Sequence, residues 1–184
     1  FRRNVGYRRG AIVASDSNLS ISTSLFQSNA CDRNGAAVYT TNGNSTFTSV
    51  QFISNAARRG GALCLDNPQR ILLRSCLFQF NIGRRAQDTN STDNRGGAVY
   101  IHGANSTRSQ SLEISSCVFQ RNRAFGGGGG MRVDGWNNAS IVINATGFLN
   151  NDARNFGGAG FGGGCLISTS FNVDRKSTRL NSSH

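Results

Sequence analysis

The chain has 184 residues, a net charge of +11 and 37% hydrophobic residues, the size of one domain. No run reaches the roughly 18 apolar residues of a membrane span, and no signal-peptide apolar segment is present. The single proline, Pro68, excludes a proline-rich linker, while 23 Gly, 22 Ser, 21 Asn and 11 Thr call for many turns.

The order of the chain is set by a repeat. Phe-x-x-Asn recurs at Phe1/Asn4, Phe26/Asn29, Phe52/Asn55, Phe78/Asn81, Phe119/Asn122 and Phe148/Asn151. The phenylalanines are spaced by 25, 26, 26, 41 and 29 residues. Small residues leading into an apolar one follow each Asn: Gly10-Ala11-Ile12, Gly35-Ala36-Ala37-Val38, Gly60-Gly61-Ala62-Leu63, Gly96-Gly97-Ala98-Val99, Gly129-Gly130-Met131 and Gly163-Gly164-Cys165. A short alternating segment precedes each later Phe, as in Leu19-x-Ile21, Phe47, Ile71-x-Leu73, Leu112-x-Ile114 and Ile141-x-Ile143. Period-2 alternation buries one face of a strand. No unit of two or three such strands covers its own apolar face, so neighbouring units must stack.

Stacking predicts columns of equivalent residues about 4.8 Å apart. Ile12, Val38, Leu63, Val99, Met131 and Cys165 form one inward column, and Ala14, Thr40, Leu65, Ile101, Val133 and Ile167 the next. The phenylalanines form a third. The asparagines form an amide ladder at a corner, and glycine at the next corner supplies φ > 0. The expected fold is all-β: a right-handed parallel β-helix of about six coils over residues 1–173, incomplete at both ends. Leucine-rich and hexapeptide solenoids fit less well, because neither the Leu-x-x-Leu-x-Leu series nor a six-residue beat is present.

The long spacing holds two polar excursions, between Asn81 and Gly96 and between Ile101 and Leu112, read as surface loops. Residues 174–184 break the pattern and hold the only lysine, Lys176. They are expected to be a non-native, unstructured tail. Without them the net charge is +9, so the basic character does not depend on the tail.

Phe-x-x-Asn paired with Gly-Gly-Ala-[Ile/Leu/Val] resembles the repeat of the chlamydial-type polymorphic outer membrane proteins. It is also similar to the wider group of right-handed β-helices of pectin- and pectate-lyase-like architecture. The match runs from about Phe1 to Ile167 and is cleanest at Phe52-Ile53-Ser54-Asn55, Gly60-Gly61-Ala62-Leu63 and Gly96-Gly97-Ala98-Val99. The resemblance implies an extracellular or cell-surface chain used in structure or adhesion. The wider group also implies an alternative, part of a polysaccharide lyase or glycoside hydrolase.

Catalysis of that kind needs clustered carboxylates. Across coils, Asp66, His102 and Asp134 end equivalent strands and form the best available polar cluster, set against the reading that such side chains merely face solvent. No Cys-x-x-Cys or Cys/His ligand spacing occurs, so neither a metal nor a cofactor is expected. Cys76 and Cys117 occupy equivalent positions in successive coils, where Ser24, Val50 and Thr146 stand elsewhere. Buried free thiols are the default reading and a bridge the alternative. Seven Asn-x-Ser/Thr sequons, at Asn18, Asn44, Asn90, Asn105, Asn138, Asn144 and Asn181, exceed chance only modestly.

Nineteen of the 20 basic residues are arginine. Arg8, Arg9, Arg33, Arg58, Arg59, Arg84, Arg85 and Arg154 all lie in the turn after the repeat Asn. Stacking would line them along one edge, opposite Asp66 and Asp134, as a site for an acidic glycan or other polyanion. The bland alternative is solvated turn charge in an arginine-biased genome. Nucleic acid is not expected, since only Tyr39 and Tyr100 offer outer-face stacking platforms.

Overall fold

The computed structural model describes residues 1–84, 95–103, 109–136, 139–154 and 162–168. Every regular element among them is a β-strand, and every strand pairing between coils is parallel. The chain is a parallel β-solenoid of about five turns, in which each strand neighbours its equivalents one coil before and after. The general hand of parallel crossovers is right-handed.

Each turn has four sides. A corner sheet stacks the two-residue strands Val5–Gly6, Ala30–Cys31, Ala56–Ala57, Ile82–Gly83, Arg123–Ala124 and Asp152–Ala153. The front sheet stacks Ile12–Ser15, Val38–Thr41, Leu63–Asp66, Val99–His102, Met131–Asp134 and Cys165–Ser168. The back sheet stacks Leu19–Ser22, Asn44–Thr48, Arg70–Arg74, Gln110–Ser115 and Ala139–Asn144. The phenylalanine sheet stacks Leu25–Gln27, Gln51–Ile53, Leu77–Gln79, Val118–Gln120 and Gly147–Leu149. The repeat thus has four strands rather than two or three. The corner strands escape the sequence because two residues carry no alternation.

The predicted columns are present. Ile12, Val38, Leu63, Val99, Met131 and Cys165 are in register, as are Ala14, Thr40, Leu65, Ile101, Val133 and Ile167. The phenylalanine rings stack face to face from Phe1 through Phe26, Phe52, Phe78 and Phe119 to Phe148, with centroids 4.5–5.2 Å apart. That spacing follows the pitch of the sheet, so the offset-stacked ring geometry costs the backbone nothing. The rings from Phe26 to Phe148 and the inward aliphatic columns make one continuous core, while Phe1 is exposed.

The asparagine ladder runs from Asn4 to Asn151. In each coil the backbone N–H and Nδ2 of one Asn both donate to Oδ1 of the next, at 2.8–3.1 Å. The second Nδ2 hydrogen of Asn55, Asn81 and Asn122 goes to the carbonyl of Phe26, Phe52 and Phe78. The buried amides are thereby satisfied without water.

Each of the four corners is closed by a residue in the left-handed region. Gly35, Gly60, Gly96, Gly128 and Gly162 serve one corner, as expected from φ > 0. The corner after the phenylalanine sheet uses Arg3, Ser28, Ser54, Phe80, Arg121 and Asn150, and the one after the back sheet uses Thr23, Ser49, Ser75, Ser116 and Ala145. Asp16, Asn42, Asn67 and Gly135 close the fourth. The two polar excursions fall mainly on residues 85–94 and 104–108 and the tail on 174–184, all outside the described residues.

Candidate functional site

Backbone register decides which arginines meet. Parallel bridges pair Arg9 with Asn34 and Asn34 with Arg59. Gly60 N–H donates to the Arg95 carbonyl as Gly35 N–H does to that of Arg59. Arg9, Asn34, Arg59 and Arg95 are therefore one column. Arg8, Arg33 and Arg58 form the adjacent one. Arg84, directly after Gly83, lies level with Arg58, because Gly83 pairs with Ala57. Arg85 is outside the described residues.

This divides the expected arginine edge in two. Arg8, Arg33 and Arg84 are exposed and Arg58 half-buried, and among the described residues no carboxylate pairs with any of these four. Arg154 differs. Its Nε meets Asp152 Oδ2 at 2.6 Å, and Arg123 reaches the same oxygen at 3.3 Å.

The second column turns onto the outer face of the front sheet. The Arg9 guanidinium lies over the Tyr39 ring, 4.7 Å from its centre. Arg95 Nη1 donates to Tyr100 Oη at 3.2 Å and to Asp134 Oδ2 at 2.9 Å. Tyr39, Cys64 and Tyr100 make a small buried cluster beneath these groups. The tyrosines point outward as expected, but they are covered and are not free stacking platforms. Asp66 and Asp134 likewise do not lie opposite the arginines: Arg59 and Arg95 share a cavity with Asp66.

The proposed Asp66–His102–Asp134 column is in register, strand end beside strand end. Asp66 Oδ1 is 3.1 Å from His102 Nδ1, and Tyr39 Oη donates to Asp66 Oδ2 at 3.4 Å. The His102 hydrogen bond holds the Asp66 carboxyl below its usual range despite partial burial. Asp134 is nearly buried. It accepts from Arg132 Nε at 2.8 and 2.9 Å, from Arg95, and from Tyr100 Oη at 3.3 Å. Burial, then the nearby Asp66, pushes the Tyr39 hydroxyl up to about 12. Burial also raises the Cys64 thiol strongly and the Tyr100 hydroxyl. Cys64 is therefore an inert floor rather than a nucleophile.

Cys31, Cys64, Cys76 and Cys117 are free thiols. Cys76 and Cys117 sit side by side in the core, where Cys76 N–H approaches Cys117 Sγ at 3.4 Å. Each thiol points to the carbonyl two residues before it, Arg74 or Ser115. Thr146 Oγ1 takes the same place in the next coil and accepts from Cys117 N–H. Contact with Cys76 raises the Cys117 thiol, and burial adds to the shift.

The sequence groups Arg9 with the turn arginines but passes over Arg95 and Arg132. A usable signal existed for Arg95: Arg9-Gly10, Arg59-Gly60 and Arg95-Gly96 share one position relative to the corner glycine. Compared with protein-family models, with curated proteins and with solved structures, the chain matches none. What the architecture defines is the class, a parallel β-solenoid repeat.

Proposed function

We propose that this solenoid is a surface-exposed or secreted repeat region, structural or adhesive in role, that binds acidic glycans through its arginine edge. The repeat resembles that of polymorphic outer membrane proteins, which is the ground for the localisation. The observation that carries the binding reading is the register of Arg8, Arg33, Arg58 and Arg84, four coil-spaced guanidiniums without carboxylate partners among the described residues. A row with the pitch of the sheet presents planar forks to successive sulfates or carboxylates of an extended chain. The repulsion within such an exposed row is screened by salt.

Two features weigh against glycoside hydrolysis. A general acid needs a raised carboxyl pKa, whereas that of Asp66 is lowered. Asp134 has its oxygens engaged by Arg95, Arg132 and Tyr100.

Salt-gradient elution from a heparin column tests the edge. Replacing Arg33, Arg58 and Arg84 together by Ser should bring elution to clearly lower salt and flatten the dependence of affinity on salt. Unchanged retention of a folded triple variant would refute the reading.

A further inference from the structure

We infer that the corner between the front and back sheets carries a second, separate site: a groove for a short neutral oligosaccharide, lined by the side-chain amides of successive coils. The groove has a volume of about 550 Å³, within the roughly 300–1,000 Å³ of small-molecule sites. Two columns border it. Asp16, Asn42 and Asn67 directly follow the in-register strand ends Ser15, Thr41 and Asp66. Ser17, Gly43, Gln69 and Gln110 stand two residues before the in-register Leu19, Ser45, Ile71 and Leu112. The groove therefore runs along the stack for three coil steps, about 14 Å at the pitch of the sheet, the length of about two or three sugar rings.

The wall is fixed by a second ladder, outside the core. Asn42 Nδ2 donates to Asp16 Oδ1 at 2.6 Å, and Asn67 Nδ2 donates to Asn42 Oδ1 at 2.9 Å. Each amide keeps a second hydrogen, and each oxygen a second lone pair, for a ligand. Gly43 carries no side chain and leaves the middle of the other column open between Ser17 and Gln69. Gln110 closes one end. It is 3% exposed, and its Nε2 donates to the Pro68 carbonyl at 2.9 Å, which sets the orientation of the amide. Its Oε1 is buried and has no hydrogen-bond partner among the described residues. A buried acceptor left unpaired is costly, and a ligand hydroxyl at this end of the groove removes that cost.

Group type then selects the ligand. Among the described residues no arginine or lysine lines the groove, and Asp16 is its one charged group. An anion would meet a carboxylate there and no cation. A calcium ion takes about six to eight oxygens, carboxylates prominent among them, and the groove has one carboxylate. Sugar hydroxyls both donate and accept, as do the amides of Asn18, Asn42, Asn67, Gln69 and Gln110. The groove shares no residue with the Arg8, Arg33, Arg58 and Arg84 row, so either site can fail without the other.

The side-chain amide signals of Gln69 and Gln110 in nitrogen–proton NMR spectra report on the groove directly. Titration with cellotriose and with maltotriose should shift them saturably, while trigalacturonate and calcium chloride leave them in place. A response to cellotriose alone identifies an extended chain, one to maltotriose alone a curved chain, and one to both identifies neutral glucans at large. Gln69→Ala removes an exposed side chain and should weaken binding about threefold or more, read on Gln110. Gln110→Met keeps the length but removes both polar atoms, and should weaken binding roughly tenfold, read on Gln69. The triple edge variant should bind the trisaccharide as the parent does. No saturable shift with either trisaccharide, an equal shift with trigalacturonate or calcium, or parental affinity in both glutamine variants would overturn the inference.

Discussion

Asn81 Oδ1 accepts two hydrogen bonds from Asn55, one from the backbone N–H and one from Nδ2, each at 3.0 Å. One buried side-chain oxygen thus closes a corner of the preceding coil. Asn81 Nδ2 also donates to the Phe52 carbonyl at 2.8 Å. Replacing Asn81 by Ala leaves two Asn55 donors unpaired and the Phe52 carbonyl one bond short, in a site with no solvent access.

Each such orphan costs about 1–3 kcal/mol, so Asn81→Ala should lower stability by about 3 kcal/mol or more. Urea unfolding followed by circular dichroism measures this. Asn81→Asp should also destabilise, because it removes the Nδ2 donor and buries a charge. An alanine variant within about 0.5 kcal/mol of the parent, the range of ordinary surface substitutions, contradicts the ladder as a source of stability.

Ala145 tests the cost of the left-handed corners. It holds φ 45° and its side chain is exposed, so little packing is lost on changing it. An L-residue in this region costs about 1–2 kcal/mol, and glycine's extra freedom in the unfolded chain offsets about 0.4–1 kcal/mol. Ala145→Gly should therefore stabilise by about 0.5–1 kcal/mol, seen as a higher melting temperature. A lower one would show that the corner carries no strain.

The inward columns were legible because Phe-x-x-Asn and the Gly-Ala clusters recur in every coil, and stacking converts recurrence into contact. Phe26 on Phe52 and Asn55 on Asn81 follow from spacing alone. The outer face was not legible in the same way. Which of two adjacent arginines turns toward Tyr39 or Tyr100 depends on a one-residue register, and coil three has one residue fewer between Ala57 and Arg59 than coils one and two have at that place, which breaks simple counting. The left-handed backbone at Phe80 or Arg121 has no sequence signal either, since neither residue type favours it. Asp134 was placed correctly at a strand end, but its burial depends on Arg132 and Arg95, which sit outside the repeat motif.

The thiols give a chemical check on the packing. Cys64, Cys76 and Cys117 are 0–3% exposed, out of a reagent's reach, and burial opposes the reactive thiolate at Cys64 and Cys117, while contact with Cys117 lowers the Cys76 thiol. In native buffer these three should resist alkylation by iodoacetamide and react fully once denatured, as peptide mass spectrometry reads out. Cys165, only half-buried, should label first. In-register parallel strands also hold equivalent Cβ atoms about 4.8 Å apart, wider than the usual 3.5–4.5 Å of a disulfide. Cys76 and Cys117 are expected to stay reduced during purification without reductant. A mass loss of two hydrogens localised to their peptides contradicts this.

His102 and Asp66 supply the pH dependence. The carboxyl of Asp66 is held below its ordinary value first by the His102 hydrogen bond, with Tyr39 and Arg59 adding smaller contributions and burial opposing. A depressed carboxyl stabilises the fold above its unfolded value, near 3.9, and that contribution is lost as pH falls through the folded value. In His102→Ala the Asp66 midpoint, followed by carboxyl carbon NMR, should rise toward the ordinary range while staying somewhat below it if Tyr39 and Arg59 outweigh burial. Because both side chains are more than a third exposed, the stability difference between parent and variant should be under about 1 kcal/mol at neutral pH. It should close once the pH has fallen below the lowered folded value, where Asp66 is protonated in both. An unchanged Asp66 midpoint in the variant would show that His102 does not act on this carboxylate.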